Sequence, residues 1–308
     1  MALVDDFLKL DDVPVESSDA RHKLPVRSAT GPYVLATGKA ADYRLHILHG
    51  LYGPGTRQLV IRAGLRRGMC VADVGCGVGM VTALLAGLVG PEGYVVGIDA
   101  SAAQLNQARK RLPPRIDNIR FVEASATDTG LPPASFDLVY SRFLLIHLPE
   151  PERALREMWA LLKPNGILVC EEVDLTSAGS EPPSAFDAFA DLWGRLGPAR
   201  GLDYTLGRHL FQMVQAAGFP APDITFNQPV LAGGENKRFL ELSVAEAGPA
   251  FIDAGLITAE ELESTLVEMQ RLNAGETVLA VMPRMAQVWA RKRPVETRHG
   301  PHVNCCSL

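Results

Sequence analysis

The 308-residue chain is 47% apolar and 21% charged, an ordinary globular composition that excludes a mainly disordered protein and lets one α/β domain bury a full core. A formal net charge of -5 and a pI near 5.8 argue against nucleic acid as a main partner, because no surface-wide excess of cations is there to neutralise phosphates. Asp5 and Asp6 stand where a secretory signal carries positive charge, and the scattered Cys70, Cys76, Cys170, Cys305 and Cys306 show neither even count nor metal-ligand spacing, so a cytoplasmic protein with no metal is expected.

In chain order, residues 1 to about 55 lie outside any strand-helix alternation and are expected to form an N-terminal helical lid segment. The alternation opens at Val71–Val74, a β-branched apolar run, followed by glycines and by Val81, Leu84, Leu85 and Leu88 at helical spacing. The uncharged stretch Val74–Pro91 is interrupted by Gly75, Gly77 and Gly79, which leaves too short an apolar helix for membrane insertion. Tyr94–Ile98 is a second strand, followed by a helix carrying Leu105, Ala108 and Leu112 and stopped by Pro113 and Pro114. Ile119–Val122 and Phe136–Tyr140 read as the third and fourth strands. Leu155, Met158, Trp159 and Leu162 mark a helix ended by Pro164 and Gly166, and Ile167–Glu171 is the fifth strand.

Beyond an insertion at about 175–205, Leu210, Met213, Val214 and Ala217 define another helix, and Ile224–Leu231 a sixth strand. Leu262, Leu266 and Met269 mark a helical lid insertion at 236–275; Met285–Ala290, within 276–291, is the last strand, and 292–308 reads as a flexible tail. The pattern predicts a Rossmann-like, doubly wound α/β sheet of seven strands, mostly parallel, with its core at 56–235 and helical lid additions.

The strongest chemical signal is Asp73-Val-Gly75-Cys76-Gly77-Val-Gly79, set between the first strand and the helix that follows. Glycines there let the backbone turn sharply and bring its amides close to a ligand. Asp99 ends the second strand, 24 residues beyond Gly75, within reach of both hydroxyls of a ribose. Met80 occupies the position where a dinucleotide fold needs its third glycine, which disfavours a nicotinamide cofactor.

These motifs, with Val96-Gly-Ile-Asp99-Ala100-Ser101 and Gln104, Phe136-Asp-Leu-Val-Tyr-Ser141-Arg142-Phe143 with His147, and Leu162-Lys-Pro164-Asn-Gly166, resemble the motif series of class I S-adenosylmethionine-dependent methyltransferases. The likeness is strongest over residues 65–175 and to the branch that includes the ubiquinone and menaquinone biosynthesis methyltransferases. It implies S-adenosylmethionine as cofactor. Gly75, Cys76 and Gly77 would line its methionine part with Asp73 nearby, Asp99 would hold the ribose, and Ala100 would lie on the adenine ring. Ser125 and Ala126 occupy the place of an acidic residue followed by Ala, so the adenine contact loses its charge assistance unless Thr127 or Asp128 supplements it. Ser141 and Arg142 would lie by the methionine end, and Tyr43-Arg44 resembles a lid motif that reaches the cofactor carboxylate.

An oxygen or carbon acceptor with an acidic proton would need a base, for which His147, Glu172 and Asp174 are the candidates, each with a structural alternative as a packed or capping residue. Phe143, Phe186, Phe189 and Trp193 are candidate pocket aromatics. His299, His302, Cys305 and Cys306 are not taken as a metal site. The expected acceptor is a small molecule, methylated on oxygen, carbon or nitrogen, natural-product or quinone-like in kind; a homodimer stays open. A non-methylating rearrangement on the same fold, or a non-enzymatic cofactor-binding protein, are the alternatives.

Overall fold

In the computed structural model, residues 39–112 and 116–293 are described, with only the backbone for the first four. The elements in chain order are α1 (Lys39–Ala63), β1 (Cys70–Val74), α2 (Met80–Val89), β2 (Tyr94–Asp99), α3 (Ala102–Arg111), β3 (Ile119–Glu123), β4 (Phe136–Arg142), α4 (Pro151–Leu161) and β5 (Leu162–Asp174). They continue with β6 (Gly179–Glu181), α5 (Ala188–Arg200), α6 (Leu210–Ala216), β7 (Asp223–Asn227), β8 (Val230–Leu231), α7 (Phe239–Asp253), α8 (Ala259–Asn273), β9 (Leu279–Val281) and β10 (Arg284–Arg291).

Seven strands form one sheet in the order β3-β2-β1-β4-β5-β10-β7. The first five run parallel, and β10 is antiparallel to both its neighbours. The two-residue period of the strands divides the core between the two faces. Val71, Leu138, Tyr140, Ile167 and Val169 pack on one side with Leu85 and Val89 of α2, whereas Ala72, Val74, Val139, Leu168 and Cys170 pack on the other with α4, α5 and α7. Helix α1 joins the two: Ile47, Leu51 and Tyr52 belong to the second cluster, Leu59 and Val60 to the first. Among the described residues no helix is long and apolar enough to cross a membrane.

Four details depart from the expectations. The boundary expected at 55–56 falls inside α1, a single helix that carries Pro54 within it. Helix α4 stops at Leu161 rather than at Pro164, because Pro164 favours extended backbone before it and the chain passes directly into β5. The run Ile224–Leu231 divides at Gln228-Pro229. Proline has no N–H for a ladder, so β7 stays with β10 while β8 joins β9 and β6 in a separate three-stranded sheet. The expected last strand is preceded by β9, which belongs to that second sheet. Of the expected tail, 294–308 lies outside the described residues, as do His299, His302, Cys305 and Cys306.

Candidate functional site

A cleft of about 450 Å³ opens at the carboxyl ends of β1, β2 and β4, where ligands sit in doubly wound sheets. Its floor is the turn between β1 and α2. Gly75 and Cys76 both donate their N–H to Ile98 O, at 2.8 and 2.9 Å, which ties the turn to the end of β2. Gly75 (φ 75°) and Gly77 (φ 55°) are left-handed. A Cβ at Gly75 would come within 2.8 Å of Leu144 Cδ1, and one at Gly77 within 2.8 Å of Gln104 Oε1. The left-handed conformation therefore favours glycine at both positions, and at Gly75 the packing of Leu144 adds to it, whereas the Gln104 tip beside Gly77 is free to shift.

Asp99 closes the turn from the side: Gly77 N donates to its Oδ2 and Ser101 N to its Oδ1, both at 2.8 Å. Asp99 lines the cleft and each oxygen has a second lone pair beyond its amide bond, so this half-buried carboxylate has the capacity to accept two hydroxyl groups. Burial raises its pKa, and the two amide bonds oppose that shift. Asp73, at the end of β1, is 2% exposed, accepts from Thr82 Oγ1 at 2.6 Å, and is pushed up by burial to about 6. Cys76 lines the cleft with its thiol raised by burial.

Of the residues singled out for the cofactor, Asp73, Gly75, Cys76, Gly77, Asp99, Ala100, Gln104, Ser125, Ala126 and Arg142 line this one cleft. Ser125 is exposed, and its hydroxyl lies 2.9 Å from that of Thr127. Three others lie elsewhere. Ser141 is fully buried and donates to Cys170 Sγ at 3.4 Å. Tyr43 is exposed and bonds Glu235. Arg44 is 4% exposed, pairs through Nε with Glu246 Oε2, and lines a neighbouring cavity instead.

That second cavity, of about 70 Å³, shares Leu45, Leu48, Phe143 and His147 with the cleft and is otherwise walled chiefly by Phe189, Trp193 and Phe239. His147, in the single helical turn Leu145–His147 after β4, faces both spaces. Burial, then the charge of Arg44, push its pKa down to about 4, so the imidazole is neutral at physiological pH. Phe186 lies in the core, fully buried under the ammonium of Lys237.

The two carboxylates at the end of β5 line neither space. Glu172 is fully buried. Its Oε1 accepts from Leu144 N (2.9 Å) and Leu145 N (2.7 Å), which fixes the turn that carries His147, and burial pushes its pKa up to about 8. Asp174 accepts from Thr176 and from Arg208 Nε at 2.6 Å, a capping and pairing role. Sequence reasoning also passed over Glu171, fully buried and held by Thr56 Oγ1 and Gln287 Nε2, each at 2.6 Å, and by the Tyr140 hydroxyl. Arg142 Nη1 donates to the same Thr56 oxygen at 3.1 Å, which links the cleft wall to α1 and β10. A charged residue inside the apolar run Ile167–Val173 was the available signal.

A doubly wound sheet with a left-handed glycine turn and an adjacent strand-end carboxylate is the arrangement of an α/β domain that binds a nucleoside cofactor, and the comparisons narrow it. Residues 72–170 match the family model described as "Methyltransferase domain". The chain is 30% identical over 185 residues to the ubiquinone/menaquinone biosynthesis C-methyltransferase of Yersinia enterocolitica, covering 59% of this chain and 72% of the relative. It is 29% identical to the Citrobacter koseri enzyme of the same name over 63% of this chain and 89% of the relative. The fold is similar, with TM-score 0.54 and 15% identity, to a phosphoethanolamine N-methyltransferase of Haemonchus contortus, over 84% of this chain and 61% of that one. The chain belongs to the class I S-adenosylmethionine-dependent methyltransferases, and its cofactor is S-adenosylmethionine.

Proposed function

We propose that the protein methylates an oxygen, carbon or nitrogen of a small, ring-bearing, largely apolar acceptor of natural-product or quinone-like kind, seated in the 70 Å³ cavity. One observation carries this reading: the cleft suited to a nucleoside and the aromatic cavity meet at Leu45, Leu48, Phe143 and His147. At about 70 Å³ the cavity alone is roughly half the volume of a cavity that binds benzene, about 150 Å³, so an acceptor ring would extend through the junction into the space shared with the cleft. The quinone-like direction is supported by the names of the two bacterial relatives.

Gly75, Cys76 and Gly77 would hold the methionine part of the cofactor, with Asp73 and Arg142 beside it. Asp99 would accept from the ribose hydroxyls, Gln104 would flank them, and Ala100, Ser125 and Ala126 would border the adenine. When bound, the cofactor supplies a methyl group activated on sulfonium. The residues of the chain exclude water and align the acceptor, which lowers the barrier without covalent participation. His147 can take a proton from an acceptor hydroxyl at the junction. Helices α1, α5 and α7 act as the lid, α1 meeting the other two around the cavity. We place the enzyme in the cytoplasm, where the buried thiols of Cys76 and Cys170 stay reduced.

Calorimetry tests the cleft. Asp99→Ala should weaken S-adenosylmethionine by about 2–4 kcal/mol, the scale of charge-assisted bonds to a buried ligand, and unchanged affinity would refute the assignment. Incubation with a panel of phenols and hydroquinones should release S-adenosylhomocysteine over many turnovers with one added methyl in the product. A product of unchanged mass would exclude methyl transfer.

A further inference from the structure

The smaller cavity is not uniformly apolar, because its rim on α1 and α7 carries a polar group with unused capacity. Arg44 (4% exposed) lines it and gives Nε to Glu246 Oε2; the Glu246 side chain is 9% exposed and its Oε1 has no hydrogen-bond partner among the described residues. Ser243, one helical turn before Glu246 on α7, also lines the cavity, is 3% exposed, and has an equally unpartnered Oγ. Buried polar atoms left without partners carry a desolvation penalty. Glu246 is not among the residues that line the cavity; the polar groups the cavity presents are Arg44, paired with Glu246, and the unpartnered Ser243 Oγ, and together they mark a site shaped for a polar substituent.

The chemistry of the set restricts what fits. Arg44 offers only donors, Glu246 Oε1 only accepts, and the Ser243 hydroxyl does either. Glu246 already balances the charge of Arg44, so a carboxylate or an ammonium would add an uncompensated buried charge. An alkyl group offers neither donor nor acceptor, and an ether has no hydrogen to give Ser243. A neutral hydroxyl answers both lining groups, accepting from Arg44 while donating to Ser243. We propose that Arg44, held by Glu246, and Ser243 form a specificity subsite that anchors an un-ionised hydroxyl on the ring of the acceptor. Arg44 thereby serves the acceptor and not the cofactor carboxylate. This rests on the reading of the smaller cavity as the acceptor's place.

The test uses phenol and toluene, which differ in a hydroxyl against a methyl, in NMR titrations of the full chain with S-adenosylhomocysteine present. Wild type should bind phenol at least about tenfold more tightly than toluene. Ser243→Ala should reduce that preference several-fold. Replacing the pair together as Arg44→Met with Glu246→Met, which strands no buried charge, should bring it within about twofold. Toluene and S-adenosylhomocysteine affinities should stay within about twofold of wild type in both variants.

Equal binding of phenol and toluene by wild type, or a preference that survives the paired replacement, overturns the subsite. A tenfold loss of S-adenosylhomocysteine affinity in the paired variant does so too, since it puts Arg44 on the cofactor. Should the paired variant fail to fold, an unchanged preference in Ser243→Ala is decisive against it. If wild type does not bind S-adenosylhomocysteine, the function proposed above fails. The phenol preference, measured on the ligand-free protein, then still decides the subsite.

Discussion

The cleft and the cavity beside it are built by opposite means. The cleft uses backbone: left-handed glycines, amides pinned to Ile98 O, and one carboxylate tied to two N–H groups, most of it within residues 73–104. The cavity uses side chains from α1, the turn after β4, α5 and α7, brought together only by tertiary packing. A shape made by backbone tolerates little variation and suits a cofactor that never changes. One made of packed side chains can be recast for a different acceptor without disturbing the cofactor site. Substitutions confined to one side should therefore leave the other intact.

The largest effect is expected on the cavity side. Trp193 is 2% exposed and meets the rings of Tyr204 and Phe251 edge-on, at 5.0 and 5.4 Å. Trp193→Ala should cost about 3–5 kcal/mol of stability through the lost packing, read from the denaturant midpoint. Trp193 does not line the cleft, so S-adenosylhomocysteine affinity below the unfolding transition should stay within about twofold. A tenfold loss would show that the two regions are coupled. Trp193→Phe, which keeps a ring, should recover most of the stability.

The same contrast explains what was legible in the sequence. All seven strands of the main sheet, the sixth run together with β8, and the turn after β1 were readable because strand periodicity, glycine conformation and a strand-end carboxylate are local properties. The expected Val71–Val74 and Tyr94–Ile98 differ from the observed strands by one residue each. The second sheet was not readable, since β6, β8 and β9 have three, two and three residues, too few to show a period. The placement of Arg44 against the smaller cavity was not readable for a related reason. A motif beside a lid says nothing about Glu246, 202 positions away, which pairs with the guanidinium. Glu172 and Asp174 sit at a strand end where chemistry is common, yet their partners are backbone amides and Arg208.

Glu172 offers a way to sharpen the contrast through the turn that both regions share. Its carboxyl titrates from 4.5 when unfolded and about 8 when folded. Below pH 4.5 both states hold the proton. As pH rises toward 8 the unfolded chain releases it and the folded one retains it, so stability falls across that window and levels off above it. Glu172→Gln keeps an oxygen for Leu144 and Leu145 but cannot ionise. At pH 8 it should be more stable than wild type by a few kcal/mol, since one unit of pKa corresponds to about 1.36 kcal/mol. His49 and His147, held down at about 3 and 4 by burial, act at the acid end: stability is lost as pH falls from 6.5 toward those values. That acid limb should be unaffected by Glu172→Gln. A variant that still loses stability between pH 4.5 and 8 would show that another group controls the window.

His147 is where the two regions meet, and it separates binding from chemistry. Because its pKa lies near 4, the imidazole is already neutral at pH 6, and its proton-accepting form does not change across the neutral range. If it removes a proton from the acceptor, His147→Gln should lower kcat by roughly 100-fold, about 2.7 kcal/mol of barrier, with the acceptor found in the turnover screen. S-adenosylhomocysteine affinity should hold, since the cofactor's polar contacts would come from Asp99 and the glycine turn. For the wild type, kcat should be flat in pH from 6 to 8 as far as His147 governs it. A loss confined to acceptor KM would instead make His147 part of the cavity wall, and the methyl transfer would need no base from this chain.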